Sequence, residues 1–303
     1  METEQPSEAR DKARLEMDPQ RLESIAKRAQ EVIQNDQKVV PPFWISKYKK
    51  EASRNWDIFY KRNTTKFFKG TCSIFKKVYT RNLSTNDIIT DRYWLDREFE
   101  ELAHKGDESK EKKICLEVGC GVGNFVFPTL AKNPNLFIYA CDFSSRAVGM
   151  VQANEQYNEA RCKAFVADLT VDDLCATVPA ESVDLVSAIF VLSAIPPEKM
   201  NVAIQNIYKV LKRGGNVLFR DYGLYDEAQI KFSSASDKKL DDNFYVRQDG
   251  TMSYFFSLDD VQQRFQAEGF KTIVNEYIYR ETTNRKLELA ADRIFTQCKF
   301  VKP

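Results

Sequence analysis

Residues 113–125 read "KICLEVGCGVGNF". An apolar run opens this stretch and stops at Glu117, and glycines follow at 119, 121 and 123. A strand that ends in such a turn brings backbone N–H groups close to a ligand at its carboxyl end. The spacing G-x-G-x-G is not the dinucleotide fingerprint, G-x-G-x-x-G, because the last glycine would have to occupy Asn124 or Val126. It is not a Walker loop either, since no G-K-[ST] follows.

Two acids extend the pattern. Asp142 ends the next apolar run, in "YACD", 19 positions beyond Gly123. An acid at that strand end can bridge the hydroxyls of a ribose. Asp168 ends the third run, in "VADL", where its carboxylate can meet an adenine amino group with Leu169 beside the ring. Either acid alone could also be read as a helix cap. As an ordered set, E-x-G-x-G-x-G followed by the ribose acid and the adenine acid resembles class I S-adenosylmethionine-dependent methyltransferases. That resemblance implies S-adenosyl-L-methionine as cofactor.

The surrounding pattern suits that fold. From residue 106 onward, short apolar runs such as "LFIYACD", "CKAFVAD", "SVDLVSAIFVL" and "GGNVLFRDYG" alternate with helical stretches, the mark of βαβ units in a parallel sheet. The last runs, "FKTIVNEYIYRE" and "RIFTQCKFV", have no long helix between them and are expected to close the sheet as an antiparallel pair. The expected architecture is a Rossmann-like, seven-stranded, mostly parallel sheet with an antiparallel last strand, behind a helical N-terminal extension. The expected divisions are a tail (1–36), a basic aromatic segment (37–105) and a methyltransferase domain (106–303). In the tail, Asp18 and Pro19 should start a helix with a stripe of Leu22, Ile25, Ala26, Ala29, Val32 and Ile33, and "VVPPFW" should break it. A second helix is expected from about Trp44 to about Arg62.

Composition excludes several classes. No run approaches the roughly 20 apolar residues that span a bilayer. The seven cysteines have no framework spacing and suit a reducing compartment, the cytoplasm and with it the nucleus. Cys115 and Cys120 have no partners for a zinc site, so no metal is expected. The single histidine, His104, lies in a charged stretch and reads as a solvated loop residue.

The exit of the fourth strand bears on the reaction. Base amine methylation usually uses an Asn/Asp-Pro-Pro-aromatic tetrad there, and "SAIPPEK" (193–199) lacks both ends of it. Cytosine C5 methylation needs a cysteine nucleophile, often after proline, and no Pro-Cys pair exists. An acceptor with its own lone pair remains, and a ring nitrogen such as cytosine N3 qualifies.

The net charge of +1 hides an asymmetry. Residues 37–92 hold 13 Lys/Arg against four Asp/Glu, with ten interleaved aromatics. Cations there can neutralise phosphates and aromatic faces can stack bases. The same aromatics could instead pack on the core, with the lysines solvated.

Longer stretches carry a more specific likeness. "PPFWISKYKKEASRNWDIFYKRNTTKFFK", "DRYWLDREFEEL", "LEVGCGVGN", "NIYKVLKRGGNVLFRDYGLYD", "NFYVRQDGTMSYFF" and "NEYIYRETTNRK" together resemble the tRNA N3-cytidine methyltransferases of the methyltransferase-like family. The short N-terminal region and the ending "CKFVKP" resemble in particular the branch acting on serine tRNA. The resemblance implies formation of 3-methylcytidine in the anticodon loop, at position 32 of serine tRNA, with seryl-tRNA synthetase as a partner. It implies cofactor contacts at Trp56, Tyr60, Gly119, Asp142, Asp168, Leu169 and Ile189. Arg220 and Asp221, in "FRDYG", are expected to orient the base and balance its new charge. Lys61 and Arg62 are expected RNA contacts, and Arg247, near a hairpin turn at Asp249-Gly250, a phosphate contact. One departure stands out: Gly70 to Thr90 separates two stretches that run together in the family. Two other readings follow, a catalytically impaired RNA-binding relative or a small-molecule methyltransferase.

Overall fold

The computed structural model describes residues 19–64, 99–102, 112–284 and 289–303. His104 and Gly70 to Thr90 lie outside these residues, as do Phe67, Phe68, Phe75 and Tyr79 of the aromatic segment and Asp18, the expected cap of the first helix.

Three helices come first: α1 (Pro19–Asn35), α2 (Pro42–Lys50) and α3 (Ala52–Asn63). The single helix expected over 44–62 is thus two. Glu51, at φ −94° and ψ 13°, breaks the helical path between them. Then follow β1 (Lys113–Val118), α4 (Val126–Lys132), β2 (Leu136–Asp142), α5 (Ser145–Gln152), β3 (Cys162–Val166) and β4 (Val183–Ile189). Beyond them lie α6 (Met200–Val210), β5 (Leu211–Tyr222), α7 (Glu227–Ser233), the short strands β6 (Lys239–Asp241), β7 (Phe244–Val246) and β8 (Met252–Tyr254), α8 (Leu258–Ala267), β9 (Lys271–Asn284) and β10 (Leu289–Val301).

The main sheet has the order β3-β2-β1-β4-β5-β10-β9. Strands β1 to β5 pair in parallel, and β10 runs antiparallel to both β5 and β9. The runs are almost wholly apolar because both faces are covered. Leu116, Val118, Val217 and Phe219 join one core with Ile204 and Ile207 of α6 and Phe265 of α8. Their strand neighbours Cys115 and Leu218 join the other, with Val126 and Leu130 of α4 and Val148 of α5.

The expected hairpin forms from β7 and β8, turning through Asp249 and Gly250. A third strand, β6, which the sequence did not announce, completes a small second sheet. Val39 bridges to Lys239 there, so the N-terminal extension is tied to this sheet. Helix α1 buries Ile25 and Ala29, and docks through Arg21 to Asp292 at 2.6 Å and Arg28 to Glu227 at 3.0 Å.

Candidate active site

The glycine loop leaves β1 toward the crevice. Gly119 has φ +61°, and a Cβ there would lie 2.5 Å from Val191 Cγ2. Gly121 has φ +53° and donates its N–H to Asp142 Oδ2 at 2.9 Å. A Cβ on Gly121 would meet the Tyr60 hydroxyl at 3.1 Å. Asp142 Oδ1 accepts from the Ser144 N–H, also at 2.9 Å. Each carboxylate oxygen keeps a further lone pair for a ligand hydroxyl. Burial pushes the Asp142 carboxyl up to about 6, despite the two N–H groups that favour its charge; Asp57 pushes the same way as burial.

Helix α3 clasps this loop. Ser53 Oγ donates to the Phe143 carbonyl at 3.1 Å, and Asn55 Nδ2 to the Gly250 carbonyl at 3.0 Å. Asp57 accepts from the Ser144 hydroxyl and, at 3.4 Å, from the Arg146 N–H at the start of α5. Phe59 and Tyr60 are buried against Val122 and Ala147, with Trp56 packed on them. The ring centroids of Trp56 and Tyr60 are 5.8 Å apart. The aromatics of α3 therefore do pack, and they do so over the glycine loop. Lys61 and Arg62, on the last turn, stay exposed.

Asp168 Oδ1 accepts from the Thr170 N–H at 2.9 Å and its hydroxyl at 2.8 Å. The acid thus closes its own turn at the β3 exit and caps no helix. Leu169 is buried beside it, its carbonyl held by Asn206 at 2.9 Å. Ile189 is buried at the end of β4. The expected fourth strand ran through Leu192, but β4 ends at Ile189 because Phe190 adopts φ +57°. That is a rare conformation for a bulky residue, and such strain gathers at functional sites. The Phe190 ring packs 5.2 Å from Tyr222 and 5.5 Å from Phe295.

Arg220 and Asp221 are consecutive on β5 and project to opposite faces. Arg220 is buried with its guanidinium 5.2 Å from the Phe295 ring, and donates to Gln297 at 3.2 Å. Asp221 is fully buried on the other face, where it accepts from the Ser193 and Tyr222 N–H groups, each at 2.9 Å. Burial pushes its carboxyl up to about 6 against the pull of Ser193, Tyr222 and the charge of Arg247. Arg247 leaves the hairpin and turns inward. Its Nη2 donates to Ser253 at 2.9 Å and to the Tyr222 hydroxyl at 3.3 Å, with the guanidinium 5.5 Å from the Tyr222 ring. It stands at the β5 exit, beside Asp221.

Phe190, Tyr222, Phe295 and Asp57 were not singled out from the sequence. The first three lie in apolar or strand-like runs where an aromatic reads as core, and Asp57 is one acid in a basic segment. The positive φ of Phe190 is the signal that marks the cluster, and it exists only in three dimensions. The six described cysteines are free thiols. Burial holds Cys120, in the loop itself, well above its ordinary value, so it stays a thiol and not a nucleophile. Among the described residues no cluster of three or more His, Cys, Asp or Glu side chains could hold a metal ion, and no helix is long and apolar enough to cross a membrane.

A glycine loop under an aromatic helix, a buried acid at the second strand's exit and a turn acid at the third suit an adenosine-bearing cofactor. With the strand order, they define a class I methyltransferase. Residues 116–217 match the family described as "Methyltransferase domain". A putative methyltransferase of Bacillus halodurans shares the fold, with a TM-score of 0.50 and 14% identity over 69% of this chain and 98% of that one. The chain is 51% identical over 274 residues to human "tRNA N(3)-cytidine methyltransferase METTL6", covering 90% of this chain and 88% of the relative. It is 43% identical to "tRNA N(3)-methylcytidine methyltransferase trm141" of Schizosaccharomyces pombe, covering 84% of this chain and 94% of that one. The chain belongs to the tRNA N(3)-cytidine methyltransferase family.

Proposed function

We propose that this protein transfers a methyl group from S-adenosylmethionine to N3 of a cytidine in the tRNA anticodon loop, position 32 of serine tRNA, in the cytoplasm and nucleus. The observation that carries the reading is the glycine loop held between Asp142 and Tyr60. It joins the cofactor site to the basic helix α3, so cofactor and RNA meet at one element. Asp142 would hold the ribose, Asp168 and Leu169 the adenine, and Trp56, Tyr60, Gly119 and Ile189 would complete the enclosure.

When bound, S-adenosylmethionine supplies an electrophilic methyl group on a sulfonium. Cytosine N3 brings its own lone pair, so no proton has to be removed and the protein's task is mainly positioning. As the bond to N3 forms, the methyl carbon–sulfur bond would break, leaving a neutral thioether and passing the positive charge to the nucleoside. Asp221, buried at the β5 exit, provides a fixed negative charge whose effect is strong in a water-poor site. It touches Ser193 and Tyr222, so it acts as a positioning residue and a counter-charge. Arg220 sets the platform of Phe295 from the opposite face. Seryl-tRNA synthetase is the proposed protein partner, a reading that rests on the resemblance to the serine-tRNA branch.

The test is methyl transfer to total tRNA, followed by mass spectrometry of the nucleosides. 3-Methylcytidine is expected; 5-methylcytidine or an exocyclic methylamine would overturn the lone-pair mechanism. Transfer to a small molecule without RNA would favour the small-molecule reading.

Two expectations follow for RNA handling. Lys61→Ala and Arg62→Ala should each weaken tRNA binding and lower the slope of log affinity against log salt by about 0.7–0.9 per lost phosphate contact. Wild-type affinity and slope in both would make α3's last turn a solvated end. Deleting Gly70 to Thr90 should leave the single-turnover rate on serine tRNA unchanged, because the matched stretches on either side are complete. A folded deletion variant without activity would make that segment part of the working site. Full-length protein that binds tRNA and cofactor but never methylates would establish the impaired relative.

A further inference from the structure

Helix α2 turns two unlike faces outward and inward. Ile45 and Tyr48 pack on the core beside β7. Phe43, turned away from them, is 70% exposed, and Trp44, at the edge of the packed face, is 43% exposed. The two rings meet edge to face at 5.5 Å, and the Trp44 ring lies 6.2 Å from Tyr48. Lys47 Nζ stands 4.8 Å from the Trp44 ring, and Lys50 is exposed one turn further on. Neither lysine meets a carboxylate among the described residues. The nearby acids are engaged, Glu198 with Lys49 at 2.6 Å and Glu51 with Arg54 at 3.6 Å.

We infer that Phe43 and Trp44 form a stacking site for an unpaired nucleotide of the RNA substrate, separate from the methylation pocket, with Lys47 and Lys50 on the adjoining phosphates. The inference rests on the tRNA reading above. Aromatic rings offered to solvent beside cations that meet no carboxylate are the combination that binds single-stranded nucleic acid. Protein interfaces enrich aromatics but deplete lysine, so the lysines argue for RNA over a protein partner. A membrane-lying helix needs one broad apolar face toward lipid, and here the remaining apolar residues point into the protein. The platform is also preformed. Pro41 and Pro42 fix the backbone at the helix start, and Tyr48 and Lys49 anchor its far end. Little conformational freedom is left to lose on binding.

Stacking and phosphate neutralisation respond differently to salt, and that separates the two roles. Binding of serine tRNA to the full-length protein would be measured between about 50 and 200 mM salt, where phosphate contacts show. Phe43→Ala and Trp44→Ala are expected to weaken binding by about tenfold each at every salt concentration, leaving the slope unchanged. Trp44→Phe, which keeps an aromatic face, should recover most of the loss. Lys47→Ala should lower the slope instead. Thermal unfolding equal to wild type would show that the variants fold. Folded alanine variants with wild-type tRNA affinity would overturn the site, as would variants that bind tRNA normally but lose association with seryl-tRNA synthetase. Wild-type protein that fails to bind tRNA at all would instead refute the functional reading beneath it.

Discussion

Asp142→Ala is expected to weaken S-adenosylmethionine binding by at least about a hundredfold, measured by calorimetry. The substitution removes two acceptors for ribose hydroxyls, and hydrogen bonds to a charged group contribute roughly 1.5–3 kcal/mol each. It also frees the N–H groups of Gly121 and Ser144, which now hold the loop and the start of α5 in place. NAD binding without S-adenosylmethionine binding in the wild type would sink the cofactor assignment altogether. The acid also sets a pH dependence. Its carboxyl stands at about 6 in the folded protein, above the ordinary carboxylate range, because burial disfavours its charge. A carboxyl raised on folding favours the folded state most fully below its unfolded value, and that contribution is lost as the pH rises through about 6. Cofactor binding has the opposite sign, because the ionised form accepts both hydroxyls. Lowering the pH from 7 to 5 should therefore weaken binding while raising this group's contribution to the unliganded fold. Affinity that does not change across this range would rule out an ionised Asp142 as the ribose acceptor.

Asp221→Asn should lower the single-turnover methylation rate by about a hundredfold, with tRNA and cofactor affinities near wild type. The positive charge would pass from the cofactor's sulfonium to the nucleoside as the methyl group is transferred, so a carboxylate placed to favour the charge on the base acts on the rate more than on binding. The wild-type rate, at saturating cofactor and tRNA, should rise with pH through about 6 as this buried carboxyl ionises. The asparagine variant should lack that rise. A purely structural Asp221 would instead give unfolded protein, or one with normal rate and pH profile. Equal losses in affinity and rate would point to a collapsed loop around Ser193, whose N–H the carboxylate holds.

Much of the site was legible because its signals are local. Three glycines at alternate positions after an apolar run need no partner to be read, and all three do adopt positive φ. The acids at the ends of β2 and β3 follow from run boundaries alone. The aromatic segment was legible only as a pair of alternatives. In the structure Phe59 and Tyr60 pack while Phe43 and Trp44 face solvent. Residue type could not divide them, because the division depends on which side of each helix meets the sheet.

Arg220, Asp221 and Arg247 show where local reading ends. Treating Arg220 and Asp221 as one constellation ignored strand parity, which sends neighbours to opposite faces. Arg247, expected as a phosphate contact near the hairpin turn, donates to hydroxyls on Ser253 and Tyr222.

By itself, then, the sequence determined the sheet class, the glycine loop with an acid at each of the next two strand exits, and the family likeness. Each depends on residues near one another along the chain, whose backbone preferences and periodicity act within a few positions. The tertiary structure alone decided that α3 closes over Gly121, that Phe190 ends β4 under strain beside Tyr222, and that Arg247 comes within electrostatic reach of Asp221 while Arg220 projects to the opposite face. Those are contacts between segments tens of residues apart. They are set by packing two cores on one sheet, and a shift of one residue in the register of β5 would exchange the faces of Arg220 and Asp221.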